Sequence, residues 1–172
     1  MASQGREGVG IISCLLLRPS ALRREYPVAP VVAVAAAVIS GKGLLLVRRA
    51  SEPGRGKWSL PGGVVRLGER LREAVVREVL EETGLLVEVL DVLDVVEVIR
   101  RDEEGRVRYH YVIVDYVARP ISGQLRPATD ALDARWVGID EALSMDITRP
   151  LRRLLEKHGD RLRELVDLTQ PS

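Results

Sequence analysis

The stretch Val31–Ile39 is an unbroken run of valine, alanine and isoleucine. A run this short, apolar and rich in β-branched residues suits a buried strand. Ser40-Gly41-Lys42-Gly43 follows as a turn and leads into Leu44–Val47, so the pair reads as a buried hairpin around which the remaining elements must be arranged. At 172 residues with 46% apolar side chains, the chain is large enough for one domain with a sizeable core and too small for a second full one.

Charge and apolar spacing exclude several classes. A formal net charge of +1 lacks the basic bias of a dedicated nucleic-acid binder, although a local basic patch is compatible with it. The apolar run Val9–Leu17 is far shorter than the roughly 20 residues of a membrane span. Arg6 is offset by Glu7, and no small-residue cleavage site follows before Arg18, so the segment does not have a signal-peptide layout. The expectation is a cytoplasmic protein with no membrane partner. Cys14, the only cysteine, can form no internal disulfide and reads as a small buried hydrophobe. Asparagine is absent and Gln, Met and Cys are scarce while Arg and Glu abound, a composition that fits a thermophile or a GC-rich genome.

Elsewhere the pattern alternates strands with two helices. Arg48–Lys57 reads as a loop ending in Trp58-Ser59-Leu60-Pro61-Gly62-Gly63. A helix is expected from about Glu69, with Leu71, Ala74, Val75 and Val79 on one stripe and Gly84 as its stop. Leu85–Ile99 and Val107–Ala118, joined by the turn Asp102–Gly105, read as an antiparallel pair. A polar loop over Ser122–Asp130 precedes a short strand at Ala134–Val137, and Pro150 opens a helix carrying Leu151, Leu154, Leu155 and Leu162. The fold class is α/β in the broad sense (α+β), a mixed sheet with helices. Residues 1–25 form an N-terminal arm of unassigned structure before a domain over 26–172.

The chemistry is concentrated between Gly63 and Leu85. Glu78, Glu81 and Glu82 fall at i, i+3 and i+4 and therefore share one helix face. Carboxylates crowded in this way repel one another unless a cation bridges them. Hard divalent cations take carboxylate, water and phosphate oxygens, so the cluster suggests a metal-phosphate site. An acidic solvated helix face is the plain alternative for the Glu81-Glu82 pair alone. The full spacing is Gly63, Glu69, Arg77-Glu78, an aliphatic Val79, Glu81-Glu82, Gly84 and an aliphatic Leu85, which is far more specific than that pair.

This segment resembles the Nudix box of the Nudix hydrolase family, and every defining position is matched. The wider resemblance runs from about Tyr26 to Leu143 and includes Ala134-Arg135-Trp136-Val137. It implies an α/β/α sandwich with a mixed sheet, in which the box forms a loop-helix-loop catalytic motif. It also implies Mg²⁺-dependent hydrolysis, with Mn²⁺ as a substitute, of a nucleoside diphosphate linked to another moiety. Carried over by position, Glu78 and Glu82 are the main metal ligands, Glu81 is a further ligand or orients the attacking water, and the Gly62 carbonyl completes the shell. Arg77 and Glu69 hold the cluster in place. A general base outside the box is common in the family, and Asp130, ahead of Asp133, is the candidate; as turn residues, both also have a structural reading.

Several other residues keep two readings. Trp58 could stack on a nucleobase or wedge its loop against the sheet. Arg48, Arg49 and Arg55 could meet phosphates or form surface ion pairs. His110 alternates with Val112 and Val114, so it reads as a hydrogen-bonded structural histidine or a substrate contact. The order Tyr26-Pro27, Pro30 and His110-Tyr111 resembles ADP-ribose pyrophosphatase-like members, which points to ADP-ribose giving AMP and ribose 5-phosphate. The absence of proline between Pro61 and Pro120 departs from many of that group and keeps nucleoside triphosphates, damaged ones included, as the alternative. A non-catalytic nucleotide-sugar-binding regulatory domain is a third reading, one that has no need of a complete carboxylate cluster. The apolar run in the arm suggests a homodimer that buries it.

Overall fold

A computed structural model of the chain describes residues 23–127 and 131–169. The Val9–Leu17 run, Cys14 and Asp130 lie outside these residues. The strands and helices are β1 (Val31–Ser40), β2 (Gly43–Arg49), β3 (Trp58–Ser59), β4 (Gly62–Val64), α1 (Leu71–Thr83), β5 (Leu85–Arg101), β6 (Val107–Gly123), β7 (Ala131–Val137), α2 (Ile139–Ser144) and α3 (Arg149–Leu168).

The first hairpin forms as expected, but β1 and β2 are paired only at Ile39–Leu44 and Ser40–Gly43. Beyond that tip they part. β1 runs parallel to β6 and antiparallel to β4, while β2 is flanked by antiparallel β3 and β7. Sheet order along the main path is β3-β2-β1-β6-β5. The long β5–β6 pair is antiparallel over its whole length with several register shifts, as bulges in so long a ribbon produce. β6 runs past the expected Ala118 to Gly123, and Pro120 is accommodated within it opposite Val87.

Helices cover opposite faces of the β1–β6 sheet. On one, Ala74, Val75 and Val79 of α1 pack with Val34, Ala36, Val38, Tyr116 and Ala118. On the other, Leu151, Leu154, Leu155 and Leu162 of α3 pack with Ala37, Ile39, Leu93 and Val117. Each such fully buried leucine is worth roughly 1.5–3 kcal/mol of transfer free energy. The expected sandwich is therefore the observed one. Gly84 ends α1 in the left-handed region at φ 72°, where a side chain would be strained. Pro150 lies in the first turn of α3, after Thr148. No helix among the described residues is long and apolar enough to cross a membrane.

Candidate active site

Strand β4 and helix α1 bring the motif together. Gly62 and Gly63 pair with Ala35 and Val34 of β1, which holds this glycine pair against the carboxylate face of the helix. A Cβ on Gly63 would fall 2.5 Å from the Glu78 carboxyl carbon, and one on Gly62 would fall 2.2 Å from the Val34 carbonyl oxygen. At Gly62 the clash is with backbone, so only glycine fits, whereas at Gly63 a side chain would push the Glu78 carboxylate out of its present position. The Gly62 N–H donates to Glu82 Oε2 at 3.0 Å.

Arg77 is the hub. Its Nε and Nη2 donate to the two Glu69 oxygens at 2.6 and 2.8 Å, and its Nη1 donates to Glu78 at 2.6 Å and Glu81 at 3.1 Å. Nη2 also reaches the Val64 carbonyl at 3.2 Å. Glu69 accepts the Arg66 N–H besides, and Arg66 Nη2 donates to Glu81. The guanidinium hydrogen bonds hold Glu69 well below the usual carboxylate range, at about 2, and raise Arg77 above its ordinary value. Arg77 thus bonds Glu69, Glu78 and Glu81 at once. The geometry also yields a test, because a lysine supplies a point charge instead of a planar five-donor fork. Arg77→Lys is expected to lower both kcat and the melting temperature, by roughly 1–3 kcal/mol of stability for lost charge-assisted hydrogen bonds. Unchanged turnover and thermal unfolding would remove Arg77 from the constellation.

Among the described residues, no three His, Cys, Asp or Glu side chains stand together in the arrangement of a bound metal. Glu78 and Glu81 are turned onto Arg77, and Glu82 onto Gly62. The donor set nevertheless fits a hard cation, since three carboxylates and a strand-end carbonyl offer only oxygen.

The motif forms one wall of a cleft of about 1350 Å³ that runs between the two sheets to the N-terminal end of α3. Arg49 lines it, donates Nε–H to the Pro53 carbonyl at 2.9 Å, and has its pKa lowered by burial and raised in part by the nearby Glu82. Arg55 also lines the cleft. Arg48 does not: it is exposed and bonds the Gly56 carbonyl. Trp58 is likewise off the cleft, buried in the α3-side core with Arg135 over its ring at 4.4 Å, the position of a wedge. Asp133 is bound to Arg135 and the Ala134 N–H, is held below its ordinary range by Arg135, and does not line the cleft. His110 is half-buried and makes no side-chain hydrogen bond among the described residues, so the hydrogen-bonded reading of it is corrected.

Sequence reading missed Asp115. It lies on β6, is 4% exposed, and faces the cleft. Burial, helped by the Asp94 charge, lifts its carboxyl to about 7. Asp94, paired with it across β5–β6, is itself held at about 2 by Lys157 and His158 of α3. A carboxylate interrupting the apolar run Val112–Ala118 was the available signal.

With this geometry in place, the relationship is direct: residues 29–158 match the NUDIX domain, and the chain belongs to that family. It is 36% identical over 111 residues to the ADP-ribose pyrophosphatase of Methanocaldococcus jannaschii, an alignment covering 64% of this chain and 63% of that protein. It is 44% identical over 131 residues to the putative 8-oxo-dGTP diphosphatase 2 of Mycobacterium tuberculosis, covering 70% of this chain and 89% of that one. The fold superposes on the NUDIX domain of Shewanella oneidensis NrtR, solved with ADP ribose, at a TM-score of 0.63 and 26% identity, covering 78% and 89% of the two chains.

Proposed function

We propose that the chain is a divalent-metal-dependent hydrolase of a nucleoside diphosphate linked to another moiety, with ADP-ribose, cleaved to AMP and ribose 5-phosphate, as its substrate. The observation that carries this reading is the shared placement of Glu78, Glu81, Glu82 and the Gly62–Gly63 strand on one wall of the cleft, with Arg49 beside Glu82. Glu78, Glu82 and the Gly62 carbonyl would hold Mg²⁺, and Glu81 would complete the set or orient water. Mn²⁺ has the same preference for oxygen ligands. When bound, the metal supplies charge neutralisation for the diphosphate and a more acidic water. Arg49 stabilises phosphate oxygens by charge-assisted hydrogen bonds, and the Arg77–Glu69 pair keeps the acidic face oriented. Asp130 retains the role of proton acceptor in this proposal. A cytoplasmic location is part of the same proposal.

A second reading, hydrolysis of nucleoside triphosphates including oxidised ones, is favoured by the 44% identity to the mycobacterial protein. A panel of ADP-ribose and nucleoside triphosphates with Mg²⁺, followed by AMP and phosphate release, separates them. ADP-ribose is expected to give the highest kcat/KM. A value at least tenfold below that for a triphosphate gives the second reading the site, and no turnover of any of them leaves the non-catalytic binding domain.

A homodimer is also proposed. Edge strand β5 exposes Leu90, Val92, Val95 and Ile99, and the arm carries the apolar run Val9–Leu17. Unpaired apolar edges of this kind favour association. Removing residues 1–22 leaves the Glu25–Arg108 ion pair in place and is expected to give a monomer or an aggregating protein in size-exclusion chromatography with light scattering. Full-length protein that is monomeric at micromolar concentration defeats the proposal.

A further inference from the structure

The cleft holds two buried polar groups that the carboxylate motif does not use. Asp115 is 4% exposed, yet no described residue donates a hydrogen bond to it. Ser59, 7% exposed on the opposite sheet, carries the one fully enclosed side-chain polar atom without a partner among the described residues, its Oγ. Both line the same cleft. A carboxyl this enclosed with no protein partner costs stability, and its place on the cleft wall points to a ligand that completes it.

Sheet register locates the pair relative to the motif. Gly62, Ala35, Asp115 and Asp94 are successive partners across four strands, so Asp115 stands two strand spacings, roughly 10 Å, from the Gly62 backbone. A diphosphate held at α1 would leave its next moiety within that reach. The floor between is Ala33, Ala35 and Ile113, with Tyr111 at its side, small and apolar enough to admit a flat or weakly polar group. An acidic side chain there disfavours a phosphate and demands a hydrogen-bond donor.

Building on the reading above, we propose that Asp115 and Ser59 form a specificity subsite that reads the neutral hydrogen-bond donors, amino or hydroxyl, of the nucleoside attached to the diphosphate. Asp115 accepts from such a donor, and the Ser59 hydroxyl can donate or accept as the bound group requires. Burial, helped by the neighbouring Asp94 charge that Lys157 and His158 hold, keeps the Asp115 carboxyl partly protonated near neutrality, a state that can also donate.

Titration calorimetry with adenosine and guanosine, without metal, tests this independently of hydrolysis. At least one nucleoside is expected to bind the parent protein, and Asp115→Ala to weaken it roughly tenfold or more, the scale of a hydrogen bond to a charged or buried group. Ser59→Ala should weaken it by less. Purine riboside, which lacks the amino group, and 3′-deoxyadenosine, which lacks a hydroxyl, separate the two donors: whichever analogue binds the parent weakly and the Asp115→Ala protein equally identifies the donor lost. In turnover, Asp115→Ala should raise KM with kcat nearly kept. Asp115→Asn, equal in volume, controls for folding. Nucleosides that fail to bind the parent, or that bind the parent, Asp115→Ala and Asp115→Asn alike, overturn the subsite. Nucleoside binding that depends on Asp115 in a protein hydrolysing no substrate overturns the hydrolase reading instead.

Discussion

Glu82→Gln is expected to lower kcat by about a hundredfold or more while leaving the circular dichroism spectrum unchanged. Glutamine keeps the volume and one carbonyl oxygen, so the hydrogen bond from the Gly62 N–H and the α1–β4 contact survive. What is lost is the negative charge beside Arg49 and one anionic oxygen for the cation. Adding Mg²⁺ well above the level that saturates the parent enzyme should recover only part of the loss, because an amide is a weaker ligand for a hard ion. A folded Gln variant that turns over at the parent rate removes Glu82 from the metal set.

Asp115→Asn should stabilise the protein at pH 8 and have little effect at pH 4. In the folded state the Asp115 carboxyl titrates at about 7, against an ordinary value of 3.8. The native state therefore binds more protons than the unfolded chain between these values, and stability falls as pH rises through that window. Below the ordinary value both states are protonated and the penalty is absent. Above pH 7 it is complete, at roughly 4 kcal/mol from the pKa difference alone. The charged groups that set it are few: Asp94 on β5 raises it, and Lys157 and His158 of α3 act on Asp94. An asparagine amide is also buried without a partner, so roughly half of the 4 kcal/mol is the expected gain, a Tm rise of several degrees at pH 8 for a domain of this size. Thermal unfolding of both proteins at pH 4 and pH 8 decides the matter: an equal difference at the two values refutes the penalty. With the role proposed for it above, a costly carboxyl lining the cleft is what a stability–function trade-off would look like at one residue.

The motif helix and the first hairpin were legible because their signals are local. Helical spacing, a Gly84 stop and carboxylates at i, i+3 and i+4 lie within one segment, and no distant partner is needed to interpret them. Pro150 and the leucines behind it marked α3 in the same way. Helix α2 was missed because Ile139–Ser144 spans under two turns, too short for a period to emerge. The role of Trp58 stayed open because stacking and wedging demand the same side chain; its contacts with α3-side residues and Arg135 arise from the fold alone. Asp94 and His158 are 64 residues apart in sequence, and nothing near either one signals the other. Asp115 was readable in part, as an acid inside an apolar strand, but which face of β6 it occupies follows only from the pairing with β1 and β5.

The splayed hairpin has a consequence for synthesis. Because β1 and β2 each become an inner strand of a different sheet, neither is flanked on both sides until residues far downstream have left the ribosome: β6 for one, and β7, ending at Val137, for the other. A nascent chain that has released Val31–Val47 but not β7 carries two highly apolar strands with open edges, the condition under which strands pair with the wrong neighbour. Any pause while Val31–Val47 is outside the ribosome and β7 is still inside it lengthens that exposure, so that interval of synthesis is where codon choice and chaperone capture bear on yield.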